Sequence, residues 1–132
     1  MKITVITPTF NQAEFIKDTI ESVVNQSYQN IEYIIVDNCS EDGTEEIVRT
    51  YMERYPYIVY IREKDRGQAD AINKGFQRAT GDIVCWINSD DFYYSDDVFA
   101  YVAERFEKDR EMSALLGDGY YCDRNKNFTE PI

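Results

Sequence analysis

Two adjacent carboxylates, Asp90 and Asp91, lie just beyond an apolar run in this chain of 132 residues. The run, Ile83 to Ile87, predicts a fully buried strand. Because side chains alternate along a strand and leave it at its end, Asn88, Asp90 and Asp91 are expected to converge on one point. Neighbouring carboxylates repel each other unless a cation or a hydrogen-bond donor offsets their charge. The pattern therefore predicts a place for a cation or a ligand hydroxyl.

Other carboxylates in the chain have a simpler interpretation. Asp37 ends the apolar run that starts at Ile31, and it could serve either a ligand or the turn that follows it. The pair Asp96 and Asp97 precedes a predicted helix, whose positive end favours anions, so we interpret that pair as structural.

Composition limits the classes of ligand. The chain has 25 acidic and 14 basic residues and a net charge of -11, which argues against nucleic acid and anionic lipid as partners. Its three cysteines, Cys39, Cys85 and Cys122, are far apart and no histidine accompanies them, so we expect neither a disulfide framework nor a zinc site. A metal would be held by oxygen, which favours Mg²⁺ or Mn²⁺.

The hydrophobic pattern bears on location. No apolar run approaches the length of a membrane span, so we expect no transmembrane segment. The first residues lack the features of a signal peptide. We therefore expect a cytoplasmic protein.

Strand and helix signals alternate along the chain, which predicts one α/β domain over residues 1–132. Strands are predicted over 2–7, 31–37, 58–61, 82–87 and 114–116, helices over 13–25, 44–55, 68–79 and after Ser95, and a turn or hairpin over 117–127. Asn11 with Glu14 resembles a capping box, and Thr44 and Ser95 are candidate caps. Crossovers of this kind give a Rossmann-like, mainly parallel sheet with helices on both faces. Its ligands bind at the carboxyl ends of the strands.

The chain lacks a glycine-rich phosphate loop, since neither Gly-x-Gly-x-x-Gly nor the Walker pattern occurs. Backbone amides alone would then be insufficient to neutralise a phosphorylated ligand at this rim. A divalent cation on Asp91, aided by Asp90, would cancel the ligand's charge.

Four stretches resemble, in order and spacing, the family 2 glycosyltransferases of GT-A fold. They are Val-Ile-Thr-Pro-Thr-Phe-Asn (5–11), Ile-Ile-Val-Asp-Asn-Cys-Ser-Glu-Asp-Gly-Thr (34–44), Gly-Gln-Ala-Asp-Ala-Ile-Asn-Lys-Gly (67–75) and Ala-Thr-Gly-Asp-Ile-Val-Cys-Trp-Ile-Asn-Ser-Asp-Asp (79–91). The resemblance implies transfer of a sugar, usually with inversion, from a nucleotide-diphosphate donor to the hydroxyl of a sugar, glycan or lipid-linked acceptor. It also implies Mg²⁺ or Mn²⁺ as cofactor and a role in glycan or polysaccharide biosynthesis, at the inner face of the membrane in the full-length enzyme.

The resemblance also assigns roles by position. The implied nucleotide-binding residues are Thr7, Pro8, Thr9, Asn11, Asp37 at the base, Arg66, Gly67 and Gln68 near the base or ribose, and Asp90 near the ribose or metal. Asp91 is the implied metal ligand, with Asp90 beside it. Asn88 stands where the family's metal motif begins with an aspartate, which makes metal affinity a point to test.

The family's acceptor half and its catalytic base follow the stretch where this sequence ends, so we expect a donor-binding half with its general base beyond residue 132. Two other classes stay open at this point. One is a phosphoacceptor signalling domain, although no suitable lysine follows a later strand. The other is a non-catalytic module that binds a nucleotide sugar or a partner chain. A partial sheet also tends to pair through its free edge, which predicts a homodimer.

Overall fold

A computed structural model describes all 132 residues. In chain order, the elements are β1 (Ile3–Thr9), α1 (Ile16–Val24), β2 (Ile31–Asp37), α2 (Thr44–Arg54), β3 (Ile58–Arg62), α3 (Gln68–Arg78), β4 (Ile83–Trp86), α4 (Val98–Lys108), β5 (Tyr120–Cys122) and β6 (Phe128–Pro131). Strands β1 to β4 form a parallel sheet in the order β3-β2-β1-β4, and β5 pairs with β6 antiparallel. The predicted α/β fold with a mainly parallel sheet is confirmed.

Helices cover both faces of this sheet, as the strand–helix alternation predicts. Helices α1, α2 and α4 bury their apolar sides with the sheet in one cluster of 16 residues. The smaller cluster on the other face joins Ile6, Ile34 and Val36 to Ala71 of α3. Gly75 lets α3 approach β1 closely, because a Cβ there would lie 2.5 Å from a side-chain atom of Ile6.

Strand β4 differs from its prediction as a fully buried strand. It pairs only with β1 and so forms one edge of the sheet. Helix α3 packs mainly on β1 and β2, and its Phe76 meets Trp86 of β4 edge-to-face, yet Val84 remains 40% and Trp86 54% exposed. An apolar run indicates a strand but cannot show whether a neighbour covers it.

The helix starts also differ from the predicted ones. Helix α1 begins at Ile16 rather than near Ala13, and its N-cap residue Phe15 makes no capping bond. The capping box was therefore a wrong prediction: Asn11 has a φ of 51°, and its Oδ1 accepts a bond from the Glu41 N–H at 2.9 Å. The side chain that could have capped α1 instead braces the loop after β2.

Two other predicted caps are wrong for a similar reason. Gly43, with a φ of 99°, precedes α2, and Thr44 donates to the Asp42 carboxylate at 2.6 Å. Ser95 lies before the N-cap of α4, which is Asp97, and donates to the Asp97 side chain. Local partners thus take the hydroxyls that were expected to cap helices.

The carboxyl-terminal residues form a hairpin outside the main sheet. Residues 114–116 are not a strand, and Leu116 is 93% exposed. The predicted hairpin over 117–127 is present but extends to Pro131, and every residue of β5 and β6 is exposed. All three cysteines are free. None of the helices is both long and apolar enough to cross a bilayer.

Candidate functional site

A cleft of about 410 Å³ opens at the carboxyl ends of β1, β2 and β4, beside the start of α3. This is the edge at which parallel sheets bind ligands. The residues that line it are Pro8, Thr9, Phe10, Gln12, Asn38, Asp65, Gly67, Gln68, Ala71, Asn88, Ser89 and Asp90. Five predicted nucleotide-site residues, Pro8, Thr9, Gly67, Gln68 and Asp90, are therefore together in one cavity.

Thr9, the last residue of β1, lines this cleft. Thr9 is 6% exposed, and its Oγ1 is buried without a hydrogen-bond partner. Thr7 lies two residues earlier in β1 and is fully buried, and its hydroxyl is 2.8 Å from that of Tyr33. The structure does not bring Thr7 or Asn11 to the cleft.

Asp37 lies behind the cleft wall rather than in it. Its carboxylate is fully buried and accepts bonds from the Ser40 N–H at 3.0 Å, the Ser40 hydroxyl at 2.6 Å and the Tyr60 hydroxyl. Burial, together with the hydrogen bond to Asp37, raises the pKa of Tyr60, so that hydroxyl keeps its proton and remains a donor. Asn38 lines the cleft at this position, and its Oδ1 accepts the Asp65 N–H at 2.9 Å.

The start of α3 forms the opposite wall. Gly67 has a φ of 121°, a backbone conformation that residues other than glycine rarely adopt, and this explains the glycine at this turn. The Gln68 Nε2 group donates a hydrogen bond to Asn88 Oδ1, and this bond joins the start of α3 to the turn after β4. Arg66 does not line the cleft: its side chain is 91% exposed and lies 3.8 Å from Asp70.

The carboxylate pair after β4 lies at the rim. Asp90 lines the cleft, whereas Asp91, beside it, is exposed and does not line the cleft. Partial burial of its carboxyl group and the charge of Asp90 raise the pKa of Asp91, while a hydrogen bond with Asn88 acts in the opposite direction. The ionised form of Asp91 is therefore disfavoured in the free protein, and a bound cation would favour it.

The donor set suits a metal that a ligand helps to hold. No three acidic, cysteine or histidine side chains in the chain are grouped around one point. Mg²⁺ is typically bound by one or two carboxylates together with substrate phosphates and waters. Asp90 and Asp91 fit this description, whereas a site built entirely from protein ligands is absent.

The sequence analysis missed several lining residues, among them Phe10, Gln12, Asn38, Asp65 and Ser89. Asn38 directly follows β2 and Asp65 follows β3, so the rule that ligands lie at strand ends could have selected both. No sequence signal indicates Phe10 or Gln12, because the turn between β1 and α1 determines which of its side chains reach the cleft.

Comparison with known proteins agrees with this geometry. The sequence pattern of the family described as glycosyl transferase family 2 matches residues 4–131. The teichuronic acid biosynthesis glycosyltransferase TuaG of Bacillus subtilis strain 168 is 42% identical over 96 residues, which are 71% of this chain and 38% of TuaG. Glycosyltransferase GlyA of Streptococcus pneumoniae is 32% identical over 126 residues, 96% of this chain and 18% of GlyA.

Two solved structures share the fold. The mannosyltransferase PcManGT of Pyrobaculum calidifontis, in complex with GDP-Man and Mn²⁺, matches 79% of this chain with 32% identity and a TM-score of 0.72. Residues 1–349 of Staphylococcus aureus TarS, in complex with UDP-GlcNAc, match 82% with 26% identity and a TM-score of 0.76. In each case the match covers 32% of the other solved chain, so this chain spans about a third of each of those two chains.

The family pattern covers nearly the whole chain, and the parallel sheet matches GT-A glycosyltransferase structures. This excludes the phosphoacceptor interpretation. The chain belongs to glycosyl transferase family 2.

Proposed function

We propose that this chain binds the nucleotide-diphosphate sugar donor and a divalent metal in a glycosyltransferase of glycan or polysaccharide biosynthesis. The observation that carries the proposal is the cleft at the strand ends, which Thr9, Gln68 and Asp90 line together. Support comes from the Mn²⁺ and GDP-Man held by PcManGT and from the UDP-GlcNAc held by TarS.

Each part of the cleft has a role in this proposal. Asp91, with Asp90, would hold Mg²⁺ or Mn²⁺, which when bound supplies positive charge to the departing diphosphate. Pro8, Thr9, Gly67 and Gln68 line the nucleotide's position. Asp37, which the resemblance assigns to the base of the nucleotide, is fully buried behind the cleft wall and accepts three hydrogen bonds from Ser40 and Tyr60, so in this proposal it supports the wall beside Asn38.

The reaction proposed for the whole enzyme is an inverting, in-line displacement at the anomeric carbon. A base removes the proton of the acceptor hydroxyl as the diphosphate leaves. We assign that base to no residue of this chain and expect it beyond residue 132. The acceptor would be a sugar, glycan or lipid-linked sugar, and the reaction would take place in the cytoplasm, at the inner face of the membrane in the full-length enzyme.

Calorimetry tests donor binding directly. UDP, GDP and TDP are titrated into the chain with and without Mn²⁺, and at least one is expected to bind more tightly with the metal. Asp91→Ala should weaken that binding about tenfold or more, because it removes the preferred metal ligand. Asp96→Ala removes an exposed charge close by in the sequence and should leave binding unchanged. Binding of none of the nucleotides, or equal binding by Asp91→Ala, would overturn the proposal.

The alternative function is a non-catalytic module that binds a nucleotide sugar. It agrees with the absence of an assigned base in this chain. A transfer assay with a radiolabelled donor and a panel of saccharide acceptors, run on the full-length protein, separates the two functions. Labelled product supports the enzyme, whereas tight donor binding without product supports the module.

We also propose that two copies of this chain associate through β4. This strand has one unpaired edge, and Val84, Trp86 and Phe76 leave apolar surface exposed beside it. A two-fold axis would pair two such edges antiparallel and cover both apolar surfaces. Sedimentation should show a dimer that Trp86→Lys dissociates, and a monomer at high concentration would contradict the proposal.

A further inference from the structure

The residues Asn88 to Asp91 lie beyond the last bond of the sheet. That bond joins the Ile87 N–H to the Ile6 carbonyl at 2.9 Å. The four residues then form a turn in which the Asp91 N–H donates to the Asn88 carbonyl at 3.1 Å. The Asn88 side chain adds a hydrogen bond to the Asp91 carboxyl group and one to Gln68, but neither contacts the backbone carbonyl of Asp91.

A buried hydroxyl from α1 makes that contact. Thr19 is fully buried, and its Oγ1 lies 2.5 Å from the Asp91 carbonyl oxygen and 3.5 Å from that of Asn88. A hydroxyl has one proton to donate, so the shorter contact is the hydrogen bond and the longer one adds little. Thr19 therefore anchors the backbone at Asp91 itself.

The next part of the chain is fastened to the same side of the fold. Gln26, almost fully buried just after α1, donates to the Ser95 carbonyl at 2.7 Å and accepts the Phe99 N–H at 3.0 Å. Tyr93 packs edge-to-face on Phe99, with ring centroids 5.0 Å apart. These contacts fix the chain after Asp91, and the Thr19 hydroxyl holds the Asp91 carbonyl itself.

We propose that Thr19 is a positioning residue for the metal ligand Asp91. Its hydroxyl holds the Asp91 carbonyl, and this sets the direction in which the carboxylate leaves the turn. Thr19 is too deeply buried to contact a nucleotide or metal, so it acts through Asp91 alone. The inference rests on the proposed donor and metal site.

Three variants test this role. Thr19→Val keeps the shape of the side chain and removes the donor, whereas Thr19→Ser keeps the donor. Thr4→Val is the matched control, because Thr4 is also fully buried and its hydroxyl joins Glu32 and the Gly81 N–H at 2.9 Å each, at the opposite end of the sheet. Two quantities are measured: hydrogen exchange of the Asp91 amide in metal-free protein, and UDP affinity with and without Mn²⁺.

In Thr19→Val, the Asp91 amide should exchange about tenfold faster, and the Mn²⁺-dependent gain in UDP affinity should fall about tenfold, within the range for groups that orient metal ligands. Thr19→Ser should restore both values, and Thr4→Val should change neither. Unchanged exchange and affinity in Thr19→Val, or equal losses in Thr4→Val, would overturn the positioning role. A wild-type chain without Mn²⁺-dependent UDP binding would overturn the proposed function instead, and the amide exchange would then decide whether Thr19 holds the turn.

Discussion

Asp37 ends β2 and Asp91 follows β4, the two strands that flank β1, yet their environments are opposite. Asp37 is fully buried and accepts three hydrogen bonds from Ser40 and Tyr60. Asp91 is exposed, lies beside Asp90, and has only the Asn88 side chain to favour its charge. A carboxylate at a strand end is thus enclosed where protein hydrogen-bond donors surround it, and it stays open to a ligand where they do not.

Substitution of the two carboxylates should show this difference most strongly. Asp37→Ala leaves buried donors on Ser40 and Tyr60 unpaired and should lower the free energy of unfolding by about 3 kcal/mol. Asp91→Ala removes a charge that repels Asp90 and should change that free energy by less than about 0.5 kcal/mol. Urea denaturation measures both variants. A large loss of unfolding free energy in Asp91→Ala would show that the fold itself depends on this carboxylate.

Asp91→Ala has little effect on the stability of the free protein, but it should matter once the proposed ligands are added. With UDP and Mn²⁺ at about 100 times their dissociation constant, the wild-type chain should gain about 2.7 kcal/mol in unfolding free energy. Asp91→Ala should gain much less, because its metal site is incomplete. The measurement is denaturation with UDP alone, Mn²⁺ alone and both together. Equal stabilisation of the two proteins would mean that the ligand does not need Asp91.

Glu32, at the other end of β2, extends the comparison to pH. Burial acts to raise its pKa, but bonds from the Thr80 N–H and from the Thr4 and Thr80 hydroxyls, together with the Lys2 charge, outweigh burial and lower the pKa. A lowered pKa stabilises the fold above the ordinary pKa of glutamate, and that stability is lost as the pH falls through the lower folded value.

Glu32→Gln should therefore cost about 1 kcal/mol near pH 7 and less at about pH 3. Denaturation across this pH range measures the difference between the variant and the wild type. A difference that is constant with pH would show that the ionised form of Glu32 makes no special contribution.

The smallest effect concerns carboxylates that have cationic partners on the surface. Lys126 in the hairpin lies 2.8 Å from Asp18 and 5.6 Å from the centroid of the Phe92 ring, and Arg124 pairs with Glu14. Lys126→Ala should change the unfolding free energy by about 0.5 kcal/mol or less, because exposed ion pairs contribute little. We expect this substitution to speed proteolytic cleavage of the hairpin while the unfolding of the whole chain changes little. Added salt should have the same effect on the wild type, because it screens the ion pairs. A cooperative loss of stability in Lys126→Ala would mean that the hairpin belongs to the core.

Much of the fold follows from local patterns. The β-branched runs at Ile3 and Ile31 give strands where predicted, and their alternation with helices gives a parallel sheet. The caps were predicted less well. Asn11, Thr44 and Ser95 all have the right chemistry for caps, but Asn11 bonds to a loop that folding brings close, and Thr44 and Ser95 bond to aspartates two residues away.

The candidate site was predictable to a similar degree. Pro8, Thr9, Gly67, Gln68 and Asp90 line one cleft because strand ends meet at one edge of a parallel sheet. Thr7 and Arg66 do not line it, since side-chain direction at the last residues of a strand or loop depends on local backbone geometry. The importance of Thr19 has no local signal, because its partner is 72 residues away along the chain.

The sequence by itself determined the fold class, the family and the edge of the sheet at which polar side chains gather, because these depend on periodicity and on ordered motifs. Only the tertiary structure decided that Asp37 is enclosed by Ser40 and Tyr60, that Asp90 and Asp91 remain open, and that β4 is an edge strand. The reason is physical. Burial and hydrogen-bond partners are set by residues distant in sequence, and two aspartates in the same local pattern can therefore reach opposite environments.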